Sequence, residues 1–371
     1  MKKLLFLSMI FMLLAASGCF AIGPGIGIRA MGMGGCGIAT ANDITAAYFN
    51  PAGLMYGPEN FELSTYASDI IGTLTNMSDA ASDAGKFIEK NFDKEVSFGG
   101  TLAAGFGISV KKVGLSVIAD GVANFNKPAF DISNPDPAAI GFNLVGKGNL
   151  IIPLTLGSTF NTPGLPIASM SVGVNLKSIN FASIITDVSG GTGTNSTMIG
   201  SGFGFDIGAM AKVTPLLSVG AVVRNLSAST NVTKKTDSIN VYPNGTTETI
   251  TGPEQKTTYN PPPEVGVGAA LAIPLTGTLV AVDLENYSGP DPDSPSKTKS
   301  YTDTHIGIEQ GILMNIVMLR LGYFSYSPNS DNFYTYGLGL NLGPCNIGIS
   351  AANSAKDSKD SQAMAQIGIA F

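Results

Sequence analysis

Short and long connections alternate along this sequence between amphipathic segments, and few folds accommodate that arrangement. Within each segment, apolar side chains alternate with polar side chains or glycine, which is the period-two pattern of a strand with one face in an apolar environment. Turns of two to six residues join the segments in pairs, and longer polar stretches separate the pairs. The predicted strands are residues 61–70, 97–110, 113–123, 149–160, 167–181, 200–213, 216–226, 264–273, 278–287, 302–312, 316–326, 333–342, 345–352 and 363–371.

Fourteen strands in this arrangement predict an all-β fold: an antiparallel transmembrane β-barrel of the bacterial outer membrane, over residues 58–371. Such barrels have an even number of strands, short periplasmic turns and long external loops. The composition agrees, since only 13% of residues are charged and 46 of 371 are glycine. After the first 21 residues, no stretch approaches the length of about 18 apolar residues that a spanning helix needs. A soluble all-β protein is the alternative, and the net charge of -6 disfavours nucleic acid as a partner.

The two faces of the predicted strands differ in polarity. Phe203, Phe205 and Ile207 share one face of a strand, whereas Gly204 and Asp206 share the other. The apolar face is expected to contact lipid, because Lys or Arg there would cost about 2 to 4 kcal/mol at mid-depth. The lumen face carries Asp120, Lys177, Asp206, Lys212, Arg224, Asp283, Glu285, Glu309 and Arg320. This near balance of charge predicts ion pairs around a plug rather than the single-sign ring of an ion-selective pore.

The first 21 residues have the pattern of a secretory signal peptide. Lys2 and Lys3 precede an apolar run over residues 4–16, and small residues follow up to Ala21. Cleavage after Ala21 and export to the outer membrane are the prediction. Lipidation of Cys19 is the alternative, because small residues also precede that cysteine.

Residues 22–57 form a separate unit between the leader and the first predicted strand. Their first half is too rich in glycine for a stable helix, and no period-two pattern is sustained, so they predict compact irregular chain. Irregular backbone at membrane depth is tolerated only inside protein or in a wet cavity. We therefore expect this unit to lie inside the barrel.

Three runs occur in a fixed order within this unit: RAMGMGG at residues 29–35, ATAND at 39–43 and AAYFNPAGL at 46–54. In that order they resemble the N-terminal segment of the FadL-type outer-membrane long-chain fatty-acid transporters. The resemblance implies a hatch over residues 22–57 that plugs the barrel. It also implies that Arg29, Asn50, Pro51, Ala52 and Gly53 are hatch and gating residues.

A second likeness runs through the strands. Residues 204–226, GFDIGAMAKVTPLLSVGAVVRNL, resemble the Gly-x-Asp-x-Gly strand, proline turn and Arg-Asn-Leu strand end of the PorV-like and TraF-like barrels in the same superfamily. Glu309 and the run RLGY at 320–323 extend this likeness. The two likenesses imply two functions. One is passive uptake of hydrophobic small molecules such as long-chain fatty acids; the other is a platform for protein secretion or conjugation that transports no solute.

Two further features concern partners. The sequence ends in Phe371, with Ile367 and Ile369 on the same strand face, which is similar to the terminal signal read by the barrel-assembly machinery. An amphipathic mouth helix is predicted over residues 78–92, with Phe87, Ile88 and Phe92 among polar residues. It either covers the barrel mouth or helps to capture a hydrophobic ligand.

The residues that carry chemistry in enzymes are sparse. His305 is the sole histidine, and the sequence has no nucleophile elbow, zinc spacing or phosphate loop, so it predicts neither an enzyme nor a bound cofactor or metal. Cys36 and Cys345 remain after removal of the leader. A disulfide that ties the plug to the wall and two buried free thiols are both compatible with the sequence.

Overall fold

The computed structural model describes residues 26–58, 61–68, 96–110, 112–129, 136, 140–160, 169–243, 246–291, 294–328, 330–356 and 362–371. The predicted signal peptide with Cys19, and the predicted mouth helix with Phe87, Ile88 and Phe92, lie outside the described residues. Within these ranges, no helix has both the length and the apolar character needed to cross a membrane.

The described chain begins with short helices and continues as strands. Helices α1 (Ile28–Gly32) and α2 (Ala46–Phe49) precede a 3₁₀ helix over Pro51–Tyr56. The strands are β1 (Phe61–Ser68), β2 (Val96–Val110), β3 (Val113–Lys127), β4 (Gly141–Phe160), β5 (Ser169–Ser189), β6 (Thr192–Lys212), β7 (Leu217–Arg224), β8 (Ser229–Val241), β9 (Thr247–Ile250), β10 (Glu254–Tyr259), β11 (Glu264–Ile273), β12 (Thr278–Asp291), β13 (Ser294–Ile312), β14 (Val317–Tyr326), β15 (Asp331–Leu342), β16 (Cys345–Ser354) and β17 (Gln362–Ala370).

Fourteen of these strands close into an antiparallel barrel, which confirms the predicted fold. Each barrel strand pairs with its neighbour in sequence, except that β7 pairs with β11. The ring closes at β1, where Leu63 lies opposite Ile108 of β2 on one side and Ile369 of β17 on the other. Two backbone hydrogen bonds join Phe61 and Phe371 at this seam. A closed ring leaves no unpaired strand edge for lipid to meet.

The expectation that residues 227–263 form a loop is wrong. They contain β8, β9 and β10, which form the outer sheet at the loop end of the barrel. Strand β8 of the outer sheet pairs with the outer part of β6. The expected loop over residues 182–199 is also wrong, because β5 and β6 run on and meet at Gly190 and Gly191. Both glycines have positive φ, as a two-residue hairpin turn of the primed type requires. These outer strands carry scattered apolar side chains among many polar ones, with Val188 and Val241 buried and Ile185 and Ile199 exposed. The regular period-two signal that marks the inner strands is therefore weakened.

The two strand faces separate as the sequence predicts. Phe203 and Ile207 are exposed on the outside, with Phe203 75% accessible, whereas Asp206 between them is 2% accessible. The exposed apolar side chains on other strands include Phe106, Leu154, Leu176, Val267, Leu271, Leu284, Ile308, Leu321, Leu338 and Ile367. This outer surface suits a hydrocarbon environment.

Candidate functional site

The N-terminal segment, residues 26–58, contacts the inward faces of strands on opposite sides of the ring. A Cβ atom at Gly173 of β5 would overlap the backbone of Pro51 and Ala52, and one at Gly322 of β14 would overlap the backbone of Gly34. Side chains of this segment, including Met31, Met33 and Ile38, are fully buried. The wall therefore presents glycine where the irregular backbone approaches it most closely.

Local sequence explains how the segment turns inside the barrel. Helix α1 ends at Gly32, and Gly34 and Gly35 just beyond it both have positive φ. The N–H of Gly35 donates to the carbonyl of Ala30 over 2.7 Å, and that of Gly34 donates to Met31 over 3.2 Å. These two bonds make the left-handed helix end in which glycine carries no steric penalty. Further on, the Asn50 side chain accepts from Ala52 N–H at the start of the 3₁₀ helix, with Pro51 at its first position.

Polar side chains of the wall satisfy the irregular backbone. Asp283 accepts from the N–H groups of Gly37 and Ile38 at 2.7 and 2.8 Å. Arg224 donates to the carbonyls of Tyr48 and Phe49 at 3.0 and 3.2 Å. Comparable bonds run from Asn175 to Ala47, Ser171 to Ala52, Thr335 to Gly32, Ile44 to Glu62 and Ile28 to Gln366. These bonds satisfy backbone groups of the segment that have no partner in regular secondary structure.

The predicted gating residues lie at two places. In α1, Nε and Nη2 of Arg29 donate hydrogen bonds to the Glu309 carboxylate, and Nη2 lies 2.9 Å from Oε1. The Nη1 group of Arg29 donates to the Thr40 carbonyl. Asn50 is fully buried and donates to the carbonyls of Ile38 and Ala209. Gly53 packs so closely on Ala41 that a side chain has no room.

The predicted lumen charges form three groups. Lys177 and Asp206 pair at 2.6 Å. Arg224 pairs with Glu285 at 2.9 Å and reaches Glu264 at 3.8 Å. The third group consists of Glu309 with Arg29 and Arg320, which both pair with its carboxylate. Paired charges around the N-terminal segment are thus the arrangement that the structure shows.

Three predicted lumen residues lie apart from these groups. One of them, Asp283, accepts hydrogen bonds from the backbone of the N-terminal segment. Lys212 is exposed at the turn end, where β6 ends, and its Nζ lies 4.4 Å from the centroid of the Tyr56 ring. Asp120 accepts a hydrogen bond from Asn149 at 3.1 Å rather than an ion pair. The site also contains five polar residues that were not predicted from the sequence: Glu62, Asn175, Glu264, Thr335 and Gln366. Several of these lie on the inward face, so strand parity extended to uncharged polar residues would have found them.

Cavities lie on both sides of the N-terminal segment. The turn-side cavity is about 780 Å³ and is lined by Arg29, Glu62, Glu309, Arg320 and Gln366 together with turn residues. The loop-side cavity is about 90 Å³; apolar side chains, among them Ile118, Ile151 and Phe181, line it beside Tyr48 and charged groups. The segment therefore separates a small, partly apolar space from a larger polar one.

Both described cysteines are free, so the disulfide that ties the plug to the wall is not formed. Cys36 is buried as the other alternative expected, whereas Cys345 is only partly buried. Cys36 lies on the N-terminal segment, and its Sγ is 3.5 Å from the Ala281 carbonyl. Burial, and then the nearby Asp283 carboxylate, raise the pKa of the Cys36 thiol well above its ordinary value. In a Cys345→Ser background we expect N-ethylmaleimide to alkylate the folded protein at least about tenfold more slowly than the urea-unfolded protein. Intact-mass spectrometry measures both rates, and equal rates would contradict the burial of Cys36.

Gly322 offers a direct test of the close packing between wall and segment. Gly322→Ala is expected to lower the free energy of unfolding by about 1 to 3 kcal/mol, because the new methyl group overlaps the backbone at Gly34. Trypsin is expected to cut faster after Arg29 in this variant. The matched control is Gly368→Ala, whose methyl group would have Ser64 Oγ of the wall as its nearest neighbour at 3.2 Å. Equal cleavage in both variants would contradict the contact.

No protein-family model matches this sequence, and no curated protein sequence matches it. Solved structures do match. The CymD monoaromatic hydrocarbon channel superimposes with a TM-score of 0.61 at 14% identity, over 95% of this chain and 99% of that one. The chain has the fold of the FadL-type barrels. The Ralstonia pickettii toluene transporter TbuX gives a TM-score of 0.61 at 13% identity, over 94% and 99%.

A Pseudomonas aeruginosa FadL homologue gives a TM-score of 0.56 at 10% identity, over 93% of this chain and 98% of that one. Identities this low establish a common fold and nothing finer. The likeness to the PorV-like and TraF-like barrels stays a prediction.

Proposed function

We propose that this chain is an outer-membrane channel through which hydrophobic small molecules pass passively when the N-terminal segment moves as a hatch. The observation that carries the proposal is the position of this segment. It lies between the two cavities and is held to the wall by hydrogen bonds and ion pairs, with both described cysteines free. Non-covalent attachment allows a reversible change that a cross-link would prevent.

The fold supports this choice, because the matching structures carry the names of a monoaromatic hydrocarbon channel and a toluene transporter. The exposed apolar surface and the predicted leader over residues 1–21 support a place in the outer membrane. Aromatic hydrocarbons and long-chain fatty acids are both within the proposed substrate class. The proposal involves no catalytic step and no cofactor.

The volume of the loop-side cavity makes movement necessary. At about 90 Å³ it is smaller than the roughly 150 Å³ apolar cavity known to hold benzene in an engineered protein. An apolar ligand therefore enters only if Tyr48 or the surrounding wall moves. Tyr48 is on α2, and the ring lies 5.3 Å from the Arg224 guanidinium. Ligand entry is in this way linked to the bonds by which Arg224 holds α2.

A second candidate is the platform for secretion or conjugation, and two observations favour it. The N-terminal segment fills the lumen between the two cavities, as expected of a barrel that moves no solute. The outer sheet also exposes Tyr242, Ile250 and Tyr259, which are 44%, 55% and 39% accessible. In this alternative the outer sheet, rather than the lumen, is the functional surface.

Mass spectrometry of native material purified from outer membranes in mild detergent separates the two candidates. A stoichiometric hydrocarbon or fatty acid without a protein partner is the result expected for the channel. A stoichiometric partner protein without a bound hydrophobe would replace the channel by the platform. A Gly322→Ala preparation serves as the control, because loosened packing of the N-terminal segment is expected to lower ligand occupancy while leaving the outer sheet unchanged.

A further inference from the structure

Glu309 of β13 is held by two arginines that belong to different parts of the molecule. Arg29 comes from helix α1, with Nε 3.2 Å from both carboxylate oxygens and Nη2 2.9 Å from Oε1. Arg320 comes from β14, directly opposite Glu309 in the strand register, with its Nε 2.7 Å from Oε2. The Glu309 carboxylate thus links the N-terminal segment to β13 and also links β13 to β14.

Arg320 leaves part of its bonding capacity unused. Its Nη1 is buried and has no hydrogen-bond partner, and the whole residue is 7% accessible. The guanidinium fits against β15 because position 339 is glycine; a Cβ there would lie 2.8 Å from Nη1. The group also lines the turn-side cavity, so it has space to turn. A buried charged donor without a partner is costly, and a second arrangement in which it is satisfied is accordingly favoured.

That second arrangement becomes available when movement of the N-terminal segment takes Arg29 away from Glu309. When Arg29 leaves, both oxygens of Glu309 become available, and Arg320 can meet them with two parallel N–H donors. Without Arg320, the same departure would leave the Glu309 carboxylate, which is only 4% accessible, with no partner, and this is strongly unfavourable.

We propose that Arg320 is a positioning residue for opening: it keeps Glu309 paired when Arg29 leaves, so that the N-terminal segment exchanges one paired state for another. This inference rests on the proposed function, since it requires that the segment moves. It assigns opposite effects to the two arginines. Arg29 holds the segment closed, whereas Arg320 makes release possible.

The test measures alkylation of Cys36 by N-ethylmaleimide in folded Cys345→Ser protein, as a readout of opening. Arg29→Met is expected to raise the alkylation rate about tenfold, because a charged hydrogen-bonded pair is lost only in the closed state. Arg320→Met is expected to lower the rate below that of the parent, because opening now leaves Glu309 unpaired. Adding Glu309→Gln to Arg320→Met is expected to return the rate to the parent value or above it. Methionine retains the side-chain stem against which Gly32 packs.

A purely structural Arg320 predicts the reverse, because its loss would loosen the segment. An Arg320→Met rate equal to or above that of the parent would overturn the proposal. If Arg320→Met does not fold, the neutral Arg320→Gln replaces it, and a rate no slower than the parent overturns the proposal in the same way. Uptake of radiolabelled toluene and oleate by cells that carry each variant is measured in parallel. If the alkylation rates follow the expected order but uptake stays at the level of cells that lack the protein, the exchange of partners at Glu309 is supported and the channel function is rejected.

Discussion

Deletion of residues 22–57 is expected to give a folded barrel that leaks small hydrophilic solutes at least about tenfold faster than the full-length protein, as a lumen without its plug should. The ring closes without the deleted residues, because β1 bonds to both β2 and β17. The deleted residues include those that span from Gly173 on one side of the wall to Gly322 on the other. Release of sucrose from proteoliposomes measures the leak, and heat-modifiable migration on gels confirms folding.

The control deletes residues 246–251, which include β9 of the outer sheet. This deletion removes chain of the loop end without touching the N-terminal segment, so leakage is expected to stay at the full-length level. Parent-level leakage from a folded barrel that lacks residues 22–57 would contradict a plug at this position.

Arg224→Met is expected to lower the free energy of unfolding by about 3 to 5 kcal/mol. Arg224 is 5% accessible, pairs with Glu285 at 2.9 Å and donates to the carbonyls of Tyr48 and Phe49. Its loss leaves a carboxylate and two backbone carbonyls without their partner in the lumen, and burying such groups unpaired is the main source of large destabilisation. Urea unfolding in detergent micelles or lipid vesicles measures the change.

The matched substitution is Lys112→Met at the exposed turn between β2 and β3, where Nζ donates to Thr159 Oγ1 at 3.0 Å. It is expected to change stability by no more than about 0.5 kcal/mol. Arg224→Met combined with Glu285→Gln is expected to recover part of the loss, because the unpaired charge is removed with its partner. A loss below 1 kcal/mol in Arg224→Met would show that the lumen at this depth is well solvated.

The barrel could be predicted from sequence because lipid imposes a strict pattern on its strands. Phe203, Asp206 and Ile207 point out, in and out as their polarity requires. That constraint ends where the chain leaves the apolar layer. Residues 227–263 form strands there, but neither face must be apolar, so hydropathy does not report them.

The sequence predicts which residues belong to the candidate site better than it predicts which of them bind one another. Arg29, Asn50, Arg224 and Glu309 were identified from resemblance and strand parity. Their partners were not, because Arg29 and Glu309 are 280 residues apart, and only the closed ring and the path of the N-terminal segment bring them together. Lys212 has inward parity and yet lies exposed at the end of β6. Parity assigns a face, whereas depth along the barrel decides whether that face meets the lumen interior or water.

The most direct test of passage past the N-terminal segment is a reversible lock. Cys36 packs against Ala281 of β12, so Ala281→Cys in the Cys345→Ser background offers it a partner for a disulfide. Initial uptake of radiolabelled toluene and oleate by intact cells is measured with this variant oxidised and then after reduction, with cells that lack the protein as the baseline. Our account predicts baseline uptake in the oxidised state and recovery on reduction. Uptake that stays above baseline with the lock closed would contradict movement of the N-terminal segment as the gate.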